Sequence, residues 1–126
     1  MCSRAALPAG VSALMVAMIS YQAPVNALPS QGQIAAGQGQ IQQGLNQTTI
    51  QQQSNRLVIN WDSFNVGADA RVPFLQPGRD SIALNRVTGG TVSSIFGQVA
   101  ANGQVWLLNP AGIVFGQGAR VDVGGL

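Results

Sequence analysis

Carboxylates are the side chains in this sequence best suited to chemistry. All four acidic residues are Asp, and three of them, Asp62, Asp69 and Asp80, fall in the middle of the chain. Two carboxylates held face to face can divide general acid and general base roles between them. The neighbours of these three read instead as turns and strand ends, where Asp accepts hydrogen bonds from nearby backbone N–H groups. Other common catalytic groups are missing. The 126-residue chain has no His and no Glu, and its single Cys is Cys2, near the amino terminus. Ser–His–Asp triads, Cys–His pairs and zinc sites therefore have no members from which to assemble. Gly37-Gln38-Gly39 lacks the Lys and the following helix that make a glycine run a phosphate loop. No catalytic residue, metal ligand or cofactor is expected. The six basic residues, all Arg, are scattered and the net charge is only +2. Nucleic-acid binding needs a clustered basic footprint, so no nucleic-acid partner is expected either.

These residue types are better suited to strands and corners. The chain is rich in Gly, Gln, Asn, Ser, Thr and Val and has no Lys or Glu, the residues that usually furnish helix surfaces. The most informative stretch runs from Gln104 to Gly116. Two short apolar runs, Val105 to Leu108 and Ile113 to Phe115, flank Asn109-Pro110-Ala111-Gly112. Proline fixes its own φ, donates no hydrogen bond and pushes the residue before it out of the α region, so Asn109-Pro110 marks a turn. The flanking runs are too short for helices and read as buried strands. Arg120-Val121-Asp122-Val123 then alternates, with the two Val on one face.

The same grammar extends back along the chain. Arg56 to Trp61 is predicted as a strand with Leu57, Ile59 and Trp61 on one face and Val58 and Asn60 on the other. Val72 to Leu75 is another, with Pro73 suiting an edge or a strand start better than a central ladder position, and Ser81 to Val87 a third. Ile34, Ile41, Leu45 and Ile50, set among Gln and Gly, predict short and partly exposed strands between Leu28 and Asn55. The apolar centres Ile82, Ile95, Trp106, Val114 and Val121/Val123 recur at roughly eight to thirteen residues. Trp61 and Trp106 are both read as core residues. A right-handed parallel β-helix fits this pattern. Its coils stack, aliphatic side chains pile up inside, and Asn and Gly take left-handed corners.

Residues 1 to 27 read as a secretory signal peptide. Arg4 supplies positive charge, Val11 to Ile19 an apolar core, and Val25-Asn26-Ala27 small residues for cleavage between Ala27 and Leu28. The apolar core is well short of the ~20 residues of a spanning helix, so the mature chain is expected to hold no stable membrane span. Export by the Sec machinery follows, and a mature chain without Cys has no disulfide to form.

Four motifs, in order, carry a resemblance. They are Ile59-Asn60-Trp61-Asp62-Ser63-Phe64-Asn65-Val66-Gly67, Ala83-Leu84-Asn85-Arg86-Val87, Asn102 to Gly116, and Gly118 to Leu126. With these the chain resembles the N-terminal secretion (TPS) domain of filamentous-haemagglutinin-type two-partner secretion exoproteins, over essentially all of residues 28–126. The resemblance implies an all-β, right-handed parallel β-helix with N-terminal cap strands, made by a Gram-negative bacterium and secreted or displayed at the surface by way of the periplasm. It implies a partner, an outer-membrane β-barrel transporter whose periplasmic POTRA modules recognise the domain. The family's Asn-Pro-Asn-Gly-Ile-like motif falls on Asn109, Pro110, Ala111, Gly112 and Ile113, with Ala111 in place of the second Asn. A second, Asn-Pro-Asn-Leu motif known in some members is absent. Asn109 has two readings, a turn former at a coil corner, which is favoured, and a contact to the transporter. The domain as a whole reads as a secretion-targeting and fold-nucleating module; the alternative is a surface adhesin or ligand-binding β-solenoid. The family domain usually runs on past Gly124-Gly125-Leu126, so the chain is expected to be a piece of a longer protein.

Overall fold

A computed structural model describes residues 27–124. The proposed leader therefore lies outside the described residues up to Asn26, as do Gly125 and Leu126. The described chain is all strand and turn: β1 (Gln33–Ala36), β2 (Gly39–Gln43), β3 (Thr48–Gln52), β4 (Arg56–Trp61), β5 (Arg71–Leu75), β6 (Ile82–Val87), β7 (Ser93–Ile95), β8 (Gln98–Ala101), β9 (Gln104–Leu108), β10 (Ile113–Phe115) and β11 (Arg120–Asp122). They form three walls, ordered β1-β4-β6-β9, β10-β7 and β11-β8-β5-β3-β2. From β3 onward, successive coils pair in parallel: β3 with β5, β4 with β6, β5 with β8, β6 with β9, β7 with β10, β8 with β11. Among the described strands β1 on β4 and β2 on β3 pair antiparallel, and with the isolated antiparallel bridge Ser30↔Ser63 they close the amino-terminal end. The chain is a parallel β-helix of about three coils behind an antiparallel cap.

Register decides what the core contains. Leu57 stands on Ala83 and Ala83 on Val105, Ile59 on Asn85 and Asn85 on Leu107, and Trp61 on Val87. On the opposite wall Val72 stands on Val99 and Val99 on Val121. The third wall places Val66 on Ile95 and Ile95 on Phe115. The loose spacing of apolar centres is thus a three-sided coil: each coil contributes three short strands, and corner loops of unequal length spoil a strict period. Ile50, Leu57, Ile59, Trp61, Val66, Val72 and Ala83 are sealed from solvent. Among the polar side chains sealed with them, Asn85 is fully engaged. Its Oδ1 accepts the Trp61 Nε1–H at 2.9 Å, and its Nδ2 donates to the carbonyls of Ala83 and Trp106 at 3.3 and 3.2 Å.

Several expectations need correction. Trp106 is not core: it pairs with Leu84 on the outer face of its wall and is 49% exposed. Ile82 and Val114 likewise lie one residue out of phase with the inward columns, because strands alternate faces and a shift of one residue reverses every side chain. Pro73 is neither at an edge nor at a strand start, being the third residue of β5. It sits opposite Ala100 in β5, which has β8 on one side and β3 on the other. The β3 side accommodates it by breaking the ladder, which runs Gln47↔Arg71 and resumes at Ile50↔Phe74. Leu45 lies beyond the end of β2 and is 92% exposed at the hairpin tip. The left-handed positions are Gly37, Gly90, Gly112, Gly118 and Gln31, with no Asn among the described residues. Asn serves the corners through its side chain instead.

Candidate functional site

The Asn109–Ile113 segment forms the corner between β9 and β10. Gly112 N–H donates to the Asn109 carbonyl at 3.0 Å, closing a four-residue turn with Pro110 where its fixed φ is wanted. The Asn109 amide completes it. Its Oδ1 accepts the Ala111 N–H at 2.9 Å, and its Nδ2 donates to the Thr91 carbonyl at 2.9 Å and to Ser93 Oγ at 2.8 Å. One side chain therefore shapes its own turn and ties it to the coil beneath. Gly112 has φ of 115°, a region closed to most side chains, and its carbonyl accepts the Ser93 N–H at 3.0 Å. Ile113 follows, half-buried, opposite Ser93. Pro110 and Ala111 are exposed. Asn109→Ala deletes all three side-chain hydrogen bonds, and is expected to lower the unfolding free energy by about 1–3 kcal/mol. Asn109→Asp, which keeps the acceptor to Ala111, is expected to fall between the two. Urea titration of the three proteins checks the order.

Amides build the next corner too. The Asn102 amide pairs with the backbone of Gln76 one coil below, accepting its N–H at 2.8 Å and donating to its carbonyl at 2.7 Å. The buried Gln76 side chain donates to Gln52 Oε1 at 3.1 Å and to the Gln104 carbonyl at 3.0 Å, and accepts the Gly103 N–H at 2.8 Å. The sequence reading missed this glutamine column, since Gln52 and Gln76 look like any other Gln in a Gln-rich chain. The three Asp residues end up apart. Asp62 follows β4 beside Gly89, Asp69 precedes β5, and Asp80 precedes β6, so they occupy three different corners and all are exposed. The fold brings no pair of them into one site.

The two ends of the solenoid differ. At the amino-terminal end Ala27 offers its carbonyl to the Gly67 N–H at 2.8 Å, Leu28 packs on the core, and Gly32 lies against the Trp61 ring beneath the antiparallel cap. At the other end the last coil surrounds an apolar cavity of about 440 Å³, lined by Phe64, Ile95, Val105, Leu107, Phe115 and Val121 among others. Phe115 and Val121 belong to inward columns, yet they are 55% and 37% exposed.

Known proteins resemble this chain in sequence and in fold. The family model of the TPS secretion domain matches residues 21–126. A heme/hemopexin-binding protein of Haemophilus influenzae (strain ATCC 51907 / DSM 11121 / KW20 / Rd) is 41% identical over 99 residues, covering 79% of this chain and 11% of that protein. A second Haemophilus influenzae protein of the same description is 46% identical over 78 residues, covering 62% of this chain and 8% of its own length. The chain thus spans about a tenth of these relatives. Among solved structures, the HMW1 secretion domain from Haemophilus influenzae matches with a TM-score of 0.66 and 35% identity, over 70% of this chain and 23% of that one. By sequence and by fold, the chain belongs to the TPS secretion domain family, the secretion domains of two-partner secretion exoproteins.

Proposed function

We propose that residues 28–126 are the export address of a longer exoprotein, read in the periplasm by the POTRA modules of its partner outer-membrane transporter. In this reading Sec delivers the chain to the periplasm and cleavage after Ala27 frees Leu28. The observation that carries it is family membership joined to the asymmetry of the solenoid: a capped amino-terminal end, and an apolar far end on which further coils can stack. Hence the second half of the proposal, that the domain nucleates folding of the coils that follow. Asn109, Pro110, Gly112 and Ile113 then serve by holding the β9–β10 corner, and transport depends on them through that shape. The cavity is lined by apolar side chains with no polar group converging to orient a small ligand, which favours stacking of protein over ligand binding. No enzymatic role is part of this reading. The test is a pull-down of the periplasmic part of the cognate transporter by the full-length exoprotein, with and without residues 28–126. Capture only when the domain is present is expected; capture by a protein lacking it overturns the reading.

A further inference from the structure

We propose that the outer edge of β2 is where the transporter docks, by adding one of its own strands to this wall. The inference rests on the transporter reading above and goes further in naming the edge. β2 ends the five-stranded wall β11-β8-β5-β3-β2, and among the described residues nothing pairs with its outer side. Its backbone is oriented for a new partner. Gly44 N–H donates to the Gln47 carbonyl and Gln53 N–H to the Gln38 carbonyl, so Gln38 and Gly44 face β3. Alternation along an antiparallel ladder then turns the N–H and C=O groups of Gly39, Ile41 and Gln43 outward.

Natural edge strands are normally guarded by charge, proline or a bulge against such pairing. β2, with sequence GQIQQ, has none of these, and no charged residue occurs anywhere from Ala27 to Asn55. Of the two other amino-terminal edges, β1 carries a bulge, between Ile34 and Ala36, and β7 is covered by the Val66 segment, whose N–H donates to the Ser94 carbonyl and whose carbonyl accepts the Phe96 N–H. The edges of β9, β10 and β11 face the end on which following coils are proposed to stack. β2 is therefore the unguarded edge left on the completed protein. The adjoining hairpin tip presents Leu45, 92% exposed, as an apolar anchor beside it. Strand addition draws its affinity from main-chain hydrogen bonds, which suits a partner surface that offers no charge.

The test uses the full-length exoprotein made together with its transporter. A photo-activated cross-linking residue replaces Gln42, on the exposed edge, or Thr91, at a distant corner. Gln42 is expected to cross-link to the periplasmic module of the transporter, and Thr91 is not. Ile41→Pro removes an outward N–H, and the pair Gln40→Lys with Gln42→Lys places charge on the edge without touching the core. Each is expected to cut secretion at least about tenfold while the periplasmic level holds, the proline by removing a main-chain hydrogen bond and the lysines by guarding the edge with charge. Should Ile41→Pro fail to fold, the lysine pair decides. Transporter cross-links from Thr91 alone, with normal secretion of the lysine variant, overturn the β2 edge but leave the transporter reading standing. Loss of transporter contact from every position in a secreted wild type overturns both. Cross-links from Gln42 to a second copy of the exoprotein instead make β2 a self-association edge and overturn the proposal.

Discussion

Trp61→Ala is expected to lower the unfolding free energy by about 4–8 kcal/mol, a large share of what holds the domain together. Truncating a buried Trp costs about 3–5 kcal/mol through lost contact and the cavity left behind. Trp61 is sealed from solvent, meets Phe64 edge-to-face at 5.6 Å, and supports Gly32 of the incoming cap segment on its ring. A second cost follows from Asn85. Its Oδ1 accepts only the Trp61 indole N–H in the described structure, and orphaning a buried acceptor costs about 1–3 kcal/mol more. Domains of this size have about 5–15 kcal/mol in total. Trp106→Ala is the matched control: half-exposed on an outer face, its Nε1 reaches only Gln104 Oε1, at 3.4 Å, and a loss below about 1 kcal/mol is expected. Urea titrations followed by circular dichroism compare the two. A double-mutant cycle with Asn85→Leu separates the packing loss from the orphaned amide. Equal costs for the two Trp substitutions would mean that the inward columns have been assigned to the wrong face.

The contrast between the two Trp residues marks how far the sequence was legible. In Arg56–Trp61 the alternation is clean, and its inward face follows directly from Leu57, Ile59 and Trp61. In Gln104–Leu108 every residue after Gln104 is apolar, so periodicity holds no phase information. Only pairing with β6 shows that Val105 and Leu107 point inward and Trp106 outward. Asn85 is the converse case: a polar residue in a strand reads as a solvent face, and only its geometry with Trp61 reveals a satisfied core amide. The parallel β-helix was readable because strand spacing and Gly-rich corners are local signals. The antiparallel edge at β2 was not, because a Gln- and Gly-rich strand carries little record of which side has a partner. Asn109 was identified as a corner by its proline, while its bonds to Thr91 and Ser93 depend on which coil lies beneath.

Adding the coils proposed to follow residue 126 is expected to raise the melting temperature of the domain by more than about 10 °C and to suppress self-association. The columns Val66–Ile95–Phe115 and Val72–Val99–Val121 climb through the coils and finish on half-exposed side chains around the 440 Å³ cavity. Fully burying a Phe or Val yields about 1.5–3 kcal/mol, so completing the burial of Phe115, Val121 and their neighbours contributes roughly 2–4 kcal/mol. For domains of about 100 residues each kcal/mol is worth roughly 4–8 °C. Parallel strands also leave unpaired N–H and C=O groups along the last coil, which in an isolated fragment favour end-to-end contact between copies. Fragments starting at Leu28 and lengthened one coil at a time should therefore melt progressively higher and lose their concentration dependence in sedimentation. A polar substitution such as Phe115→Gln separates the causes. In the short fragment it is expected to reduce self-association with little loss of stability, because the side chain is 55% exposed there. In the lengthened fragment, where the same position is proposed to be core, it is expected to cost several kcal/mol, the penalty of burying an amide without a partner. If the substitution costs the same in both, no coil stacks on this end and the nucleation half of the proposed function falls.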